Sequence, residues 1–302
     1  MDQTLKSPVR ITESPRDAMQ GLKHFIPTEN KIKYINALLK VGFDIIDFFS
    51  FVSPKAIPQF SDVNKAMSML DLSDTDTELL TIIGNTKWGE EATKWEIIDW
   101  FGFPFSISET FQKMNLNSSH EHSLETVKRL LEITDKNNKD LRCYLSMAFG
   151  NPYGEKWDID IVTEWIYKLN KEGVRHIEIS DTIGVSKPKD IHEIFTLIFK
   201  DFPETDFGFH LHTSKKGLFE KIEAAWDAGC RNFDSVLTGI GGCPLSGYEL
   251  VGNLDTLDLI SFINEKNIPH RIDNNMLSDA VRIAGEIFSP LPTSFSPVSL
   301  DL

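Results

Sequence analysis

Along the chain, short runs of β-branched and aromatic residues alternate with longer stretches whose apolar positions recur every three or four residues. Eight runs read as strands: VRITES, FDIIDFFSF, ELLTIIG, WEIIDWFGF, LRCYLSMAF, HIEISDTIG, FGFHLH and NFDSVLTG. Amphipathic helices fill the intervals. In ENKIKYINALLKVG, Ile32, Ile35, Leu38 and Leu39 share one stripe and Gly42 supplies a stop. SLETVKRLLEITDKNN, DIDIVTEWIYKLNKEG and KKGLFEKIEAAWDAGC follow the same design. NTKWGEEATK, between the third and fourth runs, is short for a crossover helix, so the fourth strand is open to a start a few residues away.

Eight βα units predict an α/β fold, a TIM (β/α)8 barrel, over residues 1–302 as a single domain. A doubly wound open sheet is the alternative, but no Gly-x-Gly-x-x-Gly turn follows the first strand. The end of the chain, roughly 288–302, is rich in Pro and Ser and reads as an extended tail.

Composition narrows the partners. With 302 residues, 41% of them hydrophobic, the chain can bury a large core. Its 45 acidic residues against 31 basic ones give a net charge of -14, which opposes binding to nucleic acid or to an acidic membrane surface. A few local cations can still hold the phosphates of a coenzyme. Cys143, Cys230 and Cys243 are too few and too scattered for a disulfide framework or a Cys-rich zinc site, and they fit a reducing, cytoplasmic compartment. The start MDQTLKSPVR lacks the apolar core of a secretory signal, and no apolar run is long enough to cross a bilayer.

A barrel does its chemistry where strands run out into the following loops. Arg16 and Asp17 follow the first strand, Asp47 lies late in the second, Asp181 closes the sixth and His210 and His212 close the seventh. Cys243 and Asn253 lie beyond the eighth. The two histidines are spaced i, i+2, so on a strand they share a face and can share one cation, or each is a hydrogen-bonded core histidine. Asp17 and Asn253 at the same rim favour the cation, and the mixed imidazole and oxygen donors suit Mg²⁺, Mn²⁺ or Zn²⁺. Asp17 is otherwise a turn residue or helix cap after Pro15. Asp47 and Asp181 are either catalytic carboxylates or inert members of polar layers, and Cys243 is either a packed thiol or part of a mobile lid.

Taken together, PRDAMQ, SFVSPKAIPQ, GNPYGEKW, SDTIGVSKP, FHLH and GIGGCPLSGYELVGN make the chain resemble the 3-hydroxy-3-methylglutaryl-CoA lyases of the metal-dependent TIM-barrel lyase and synthase superfamily. The resemblance runs from ITESPRDAMQ to GNLDTLDLISFI. It implies retro-Claisen cleavage of an acyl-CoA substrate to acetoacetate and acetyl-CoA, and a homodimer. It implies that Asp17, His210, His212 and Asn253 hold the divalent cation, that Arg16 is the catalytic cation, and that Cys243 is a proton donor or lid residue. Lys23, Lys55 and Lys87, near rim loops, are either holders of CoA phosphates or exposed solubility lysines. Three positions depart from the family pattern. Asp47 stands where a glutamate is expected, Thr213 replaces an acid after the histidine pair, and Thr12 replaces a glutamate. Glu13, one place along, points to the other face of the strand and cannot substitute. A related 3-hydroxyacyl-CoA or 2-hydroxy acid lyase, and a catalytically silent metal-binding barrel, are the rival readings.

Overall fold

The computed structural model describes residues 8–242 and 251–288. Eight strands, β1 (Arg10–Glu13), β2 (Ile45–Phe51), β3 (Glu78–Ile83), β4 (Trp100–Ser106), β5 (Asp140–Ser146), β6 (His176–Asp181), β7 (Asp206–Leu211) and β8 (Asn232–Ser235), pair in sequence order. All pairings are parallel, and β8 returns to β1 to close the barrel. The helices of the described residues are α1 (Pro15–Gln20), α2 (Thr28–Leu38), α3 (Val63–Met67), α4 (Thr86–Ala92), α5 (Glu109–Leu116), α6 (His120–Lys136), α7 (Ile159–Glu172), α8 (Pro188–Asp201), α9 (Leu218–Asp227), α10 (Thr256–Glu265) and α11 (Asn274–Phe288). None is long and apolar enough to cross a membrane. The tail expected at 288–302 lies, after Phe288, outside the described residues, as does Cys243.

Local chemistry explains where the elements stop. Helix α7 begins at Asp158, whose side chain accepts from the Ile161 N–H at 2.9 Å, and ends at Gly173, whose φ of 112° is open to glycine at little cost. The stripe of α2 holds, with Ile32, Ile35, Leu38 and Leu39 all buried against the barrel. Strand four corrects the sequence expectation, which began it at Trp95. Trp95 N–H bonds to Ala92 O and Ile98 N–H to Trp95 O, so these residues close the turn after α4. Pairing begins only where Asp99 N–H meets Leu79 O, and the strand runs on to Ser106.

The interior of the barrel has two unlike halves. Ile45, Leu80, Ile82, Trp100 and Tyr144 from β2 to β5 form a small apolar cluster of their own. Opposite them, Arg142, Glu178, His210, Asp234 and Thr12 fill the interior with buried polar groups, and the Gly208 backbone leaves room for the Glu178 carboxyl. A second correction concerns Asp47. It is the third residue of β2, and a bulge follows it: Asp47 pairs with Leu80, but the next pairing joins Phe49 to Thr81. The extra residue lets Phe48 and Phe49 both join the outer core, and the inward face resumes at Ser50.

Candidate active site at the barrel mouth

Pro15 occupies the first turn of α1, where its fixed φ suits a helix start and its missing N–H costs nothing. The helix therefore begins directly at the end of β1 and carries Arg16 and Asp17 to the mouth, buried within the helix and not in a turn before it. Arg16 is clamped. Its Nε lies 3.2 and 3.0 Å from the two Asp47 oxygens, Nη2 donates to Asp47 Oδ2, and Nη1 donates to Asp17 Oδ1 at 3.2 Å and Gln20 Oε1 at 3.0 Å. Gln20 in turn donates to Asp17 Oδ1. A guanidinium has five N–H donors, so this pattern leaves one Nη2 hydrogen uncommitted among these bonds.

Across the mouth, His210 and His212 follow Gly208 on the inward face of β7 and its extension. Their Nε2 atoms face each other at 3.2 Å. Ligand atoms of Asp17, His210 and His212 all fall within 4.8 Å of one another. Asn253 joins them from the closing loop: its backbone bridges that of His212, its side chain hydrogen-bonds Asp17, and its Nδ2 donates to Ile240 O at 3.0 Å. Asp17 Oδ2 is buried with no hydrogen-bond partner among the described residues. A carboxylate oxygen left bare beside two converging imidazoles is costly unless a cation completes the group, so the residues present fit a divalent ion.

The electrostatics sort the acids and imidazoles. Burial pushes the Asp17 carboxyl up, but Arg16 and the two histidines outweigh it and hold it below the usual carboxylate range. Burial also dominates at Asp47 and raises it to about 6 despite the Arg16 clamp. For His210, burial opposes protonation, yet the hydrogen bond and charge of Asp234 raise its pKa. His212 has no such carboxylate partner among the described residues, and burial with the His210 charge lowers it to about 4, leaving a neutral imidazole at ordinary pH.

A cavity of about 250 Å³ opens above this group. Arg16, Asp17, His210 and His212 form part of its wall, and Val52, Ile57, Trp88, Phe111 and Leu116 give it an apolar flank. Lys55 and Lys87 are exposed and adjoin wall residues Ala56 and Trp88, while exposed Lys23 follows α1. Two expected carboxylates are not on the wall. Asp47 lies beneath it and holds the Arg16 guanidinium. Asp181 accepts from Val185 N–H and Ser186 N–H, both at 2.9 Å, and lies 3.6 Å from Lys221 Nζ. Glu178 and Ser180 face in, so Asp181 one place on faces out, and it ties down the β6–α8 loop. Thr213 spends its N–H on Gly252 O at 2.8 Å and its hydroxyl on Ser214 O at 3.0 Å. Residues that sequence reasoning passed over are Gln20, Ser50, Tyr144 and Asp234. The first three line the cavity, and Asp234 sits behind His210. The inward parity of β8 was the available signal for Asp234.

Comparison with known proteins agrees with this geometry. The mitochondrial hydroxymethylglutaryl-CoA lyase of Mus musculus is 31% identical over 92% of this chain and 85% of its own. The crystal structure of the Bacillus subtilis HMG-CoA lyase superposes with a TM-score of 0.87 at 28% identity, covering 96% of this chain and 97% of that one. An HMG-CoA lyase from Acinetobacter baumannii, solved in complex with coenzyme A and 3-methylmalate, gives 0.85 at 26% identity over 96% and 97%. The HMGL-like family model matches residues 9–283, from the strand that leads into Arg16 to α11, and the chain belongs to that family of lyases.

Proposed function

We propose that this chain cleaves 3-hydroxy-3-methylglutaryl-CoA to acetoacetate and acetyl-CoA with the help of a divalent cation, Mg²⁺ or Mn²⁺, held by Asp17, His210, His212 and Asn253. The observation that carries this reading is the convergence of Asp17 and the two imidazoles beside Arg16 on one cavity wall. The coenzyme A bound to the Acinetobacter relative supports an acyl-CoA as the substrate.

Asp17, His210, His212 and Asn253 would hold the dication, which when bound would supply Lewis acidity toward the substrate's tertiary hydroxyl. The base is Asp17 or a neighbouring carboxylate of the mouth; Asp17 is a weak base, which would be sufficient for a hydroxyl already acidified. As that proton leaves, the bond between C2 and C3 breaks: C3 becomes the ketone of acetoacetate and the electron pair passes into a thioester enolate. The uncommitted Nη2 hydrogen of Arg16 meets the enolate oxygen, with Asp47 fixing the guanidinium plane. Cys243 or a water returns a proton to C2 and completes acetyl-CoA. Lys23, Lys55 and Lys87 are exposed near the mouth, and solubility lysines remain the alternative to their holding the coenzyme's phosphates. Cytoplasmic action and a homodimer belong to the same reading.

Acetyl-CoA release from the named thioester, measured with and without Mn²⁺, is the direct test. Metal-dependent release is expected. Arg16→Met is expected to bind Mn²⁺ as the wild type does while forming no product, and a variant that turns over would remove Arg16 from the chemistry.

A further inference from the structure

His210 is gripped from behind as well as in front. Its Nδ1 lies 3.0 Å from Asp234 Oδ2, and both side chains are buried. The second oxygen of Asp234 lies 3.7 Å from Arg142 Nη1, which also reaches Glu178 Oε1 at 3.2 Å and Thr12 Oγ1 at 3.0 Å. The Tyr144 ring stands edge-on to the imidazole at 5.6 Å and 87°. One carboxylate thus spans from the histidine to a cation fixed in the heart of the barrel. A carboxylate can only accept at this contact, so the neutral imidazole must carry its hydrogen on Nδ1 and keep the lone pair on Nε2. That lone pair points at the place where His212 and Asp17 converge.

We infer that Asp234 is a positioning residue: it selects the Nδ1–H tautomer of His210 and sets the ring plane, so that Nε2 is presented to the cation. The inference rests on the cation reading above and extends it to an interior network of Asp234, Arg142 and Glu178 that touches no substrate. Among the described residues His212 has no such carboxylate behind it, so there the two ligands are unequal, and His210 is the preset one.

The test uses the full-length chain with ¹⁵N-labelled histidine, freed of metal, at a pH where the ring is neutral. The wild type is expected to show His210 as the Nδ1–H tautomer, assigned by its loss in His210→Gln. In Asp234→Asn the amide can donate to Nδ1, which favours hydrogen on Nε2, so a mixed or reversed tautomer is expected. Mn²⁺ binding to that variant, followed by titration, should weaken by about 10- to 100-fold, the usual effect of losing such a partner. A wild-type His210 with its hydrogen on Nε2 overturns the inference without need of any variant. An Asn variant that folds and binds Mn²⁺ as tightly as the wild type also overturns it, while leaving the cation reading standing. A wild type that binds no Mn²⁺ overturns both.

Discussion

Arg16 spends most of its donors on holding itself still. With Nε and Nη2 on Asp47 and Nη1 on Asp17 and Gln20, it is held from swinging, so on the proposed reaction it serves only if it already stands where charge develops. Asp47→Asn should therefore leave the cation group intact and misplace the guanidinium. Turnover is expected to fall by about 100-fold, the scale of a displacement near 1 Å, with Mn²⁺ affinity unchanged. Steady-state rates beside a Mn²⁺ titration check this, and lost affinity would mean that Asp47 reaches the cation. Asp17→Ala and His212→Ala should do the opposite and abolish Mn²⁺ binding itself, since each removes one of the three converging ligand atoms. The three together separate the group that holds the ion from the group that holds the arginine. Asp47→Glu, the change that would restore the family's usual acid, gains nothing on this geometry, because the shorter side chain already contacts Arg16 through both oxygens and is fully enclosed.

Within the elements, alternation decides what faces the mouth, and it was legible wherever a strand is regular. His210 and His212 share the inward face because two residues make one strand period. The same parity, counted from Glu178 and Ser180, turns Asp181 away from the cavity wall, and that orientation could have been counted once the strand was located. Two things could not be counted. The bulge after Asp47 shifts the phase of β2 by one residue, and nothing in IIDFFSF marks it, since phenylalanines suit both faces. The start of β4 is set by backbone bonds around Trp95 and Ile98, which apolar content does not reveal. Partnerships such as that of Asp234 with His210 depend on register between neighbouring strands, fixed only when the barrel closes. Gly208 is a case where register exacts a residue: a Cβ there would lie 2.0 Å from Glu178 Oε2. Gly208→Ala should cost about 1–3 kcal/mol or more as an overpacked interior site. Urea midpoints measure the loss, and it should shrink in a Glu178→Ala background, where the clash is gone; equal losses in both backgrounds would contradict the contact.

Closing the barrel brings residues from its two ends of sequence together, and Glu13 works at that seam. Its Oε1 accepts from Leu237 N–H at 2.7 Å, and its Oε2 lies 2.5 Å from Thr256 Oγ1, which is 2.9 Å from Ser235 Oγ. A neutral Glu13 donating to Thr256 leaves that hydroxyl free to donate to Ser235, so a single chain of bonds links β1 to α10 and β8. Burial is the main reason that the carboxyl is raised from 4.5 to about 8, against the lowering effect of the Leu237 bond. The native state therefore keeps a proton that the unfolded chain releases between those values, and stability falls as pH rises through that window. The benefit is complete below about 4.5 and gone above about 8. Glu13→Gln can keep the Leu237 bond and is neutral at every pH. Relative to the wild type it should gain stability steadily from mildly acidic to alkaline solution, by a few kcal/mol in order of magnitude at about 1.4 kcal/mol per pKa unit. Urea unfolding of both proteins across that range reads the difference directly, and two curves that stay parallel would mean that Glu13 is ionised in the folded barrel and that the seam is held by charge instead.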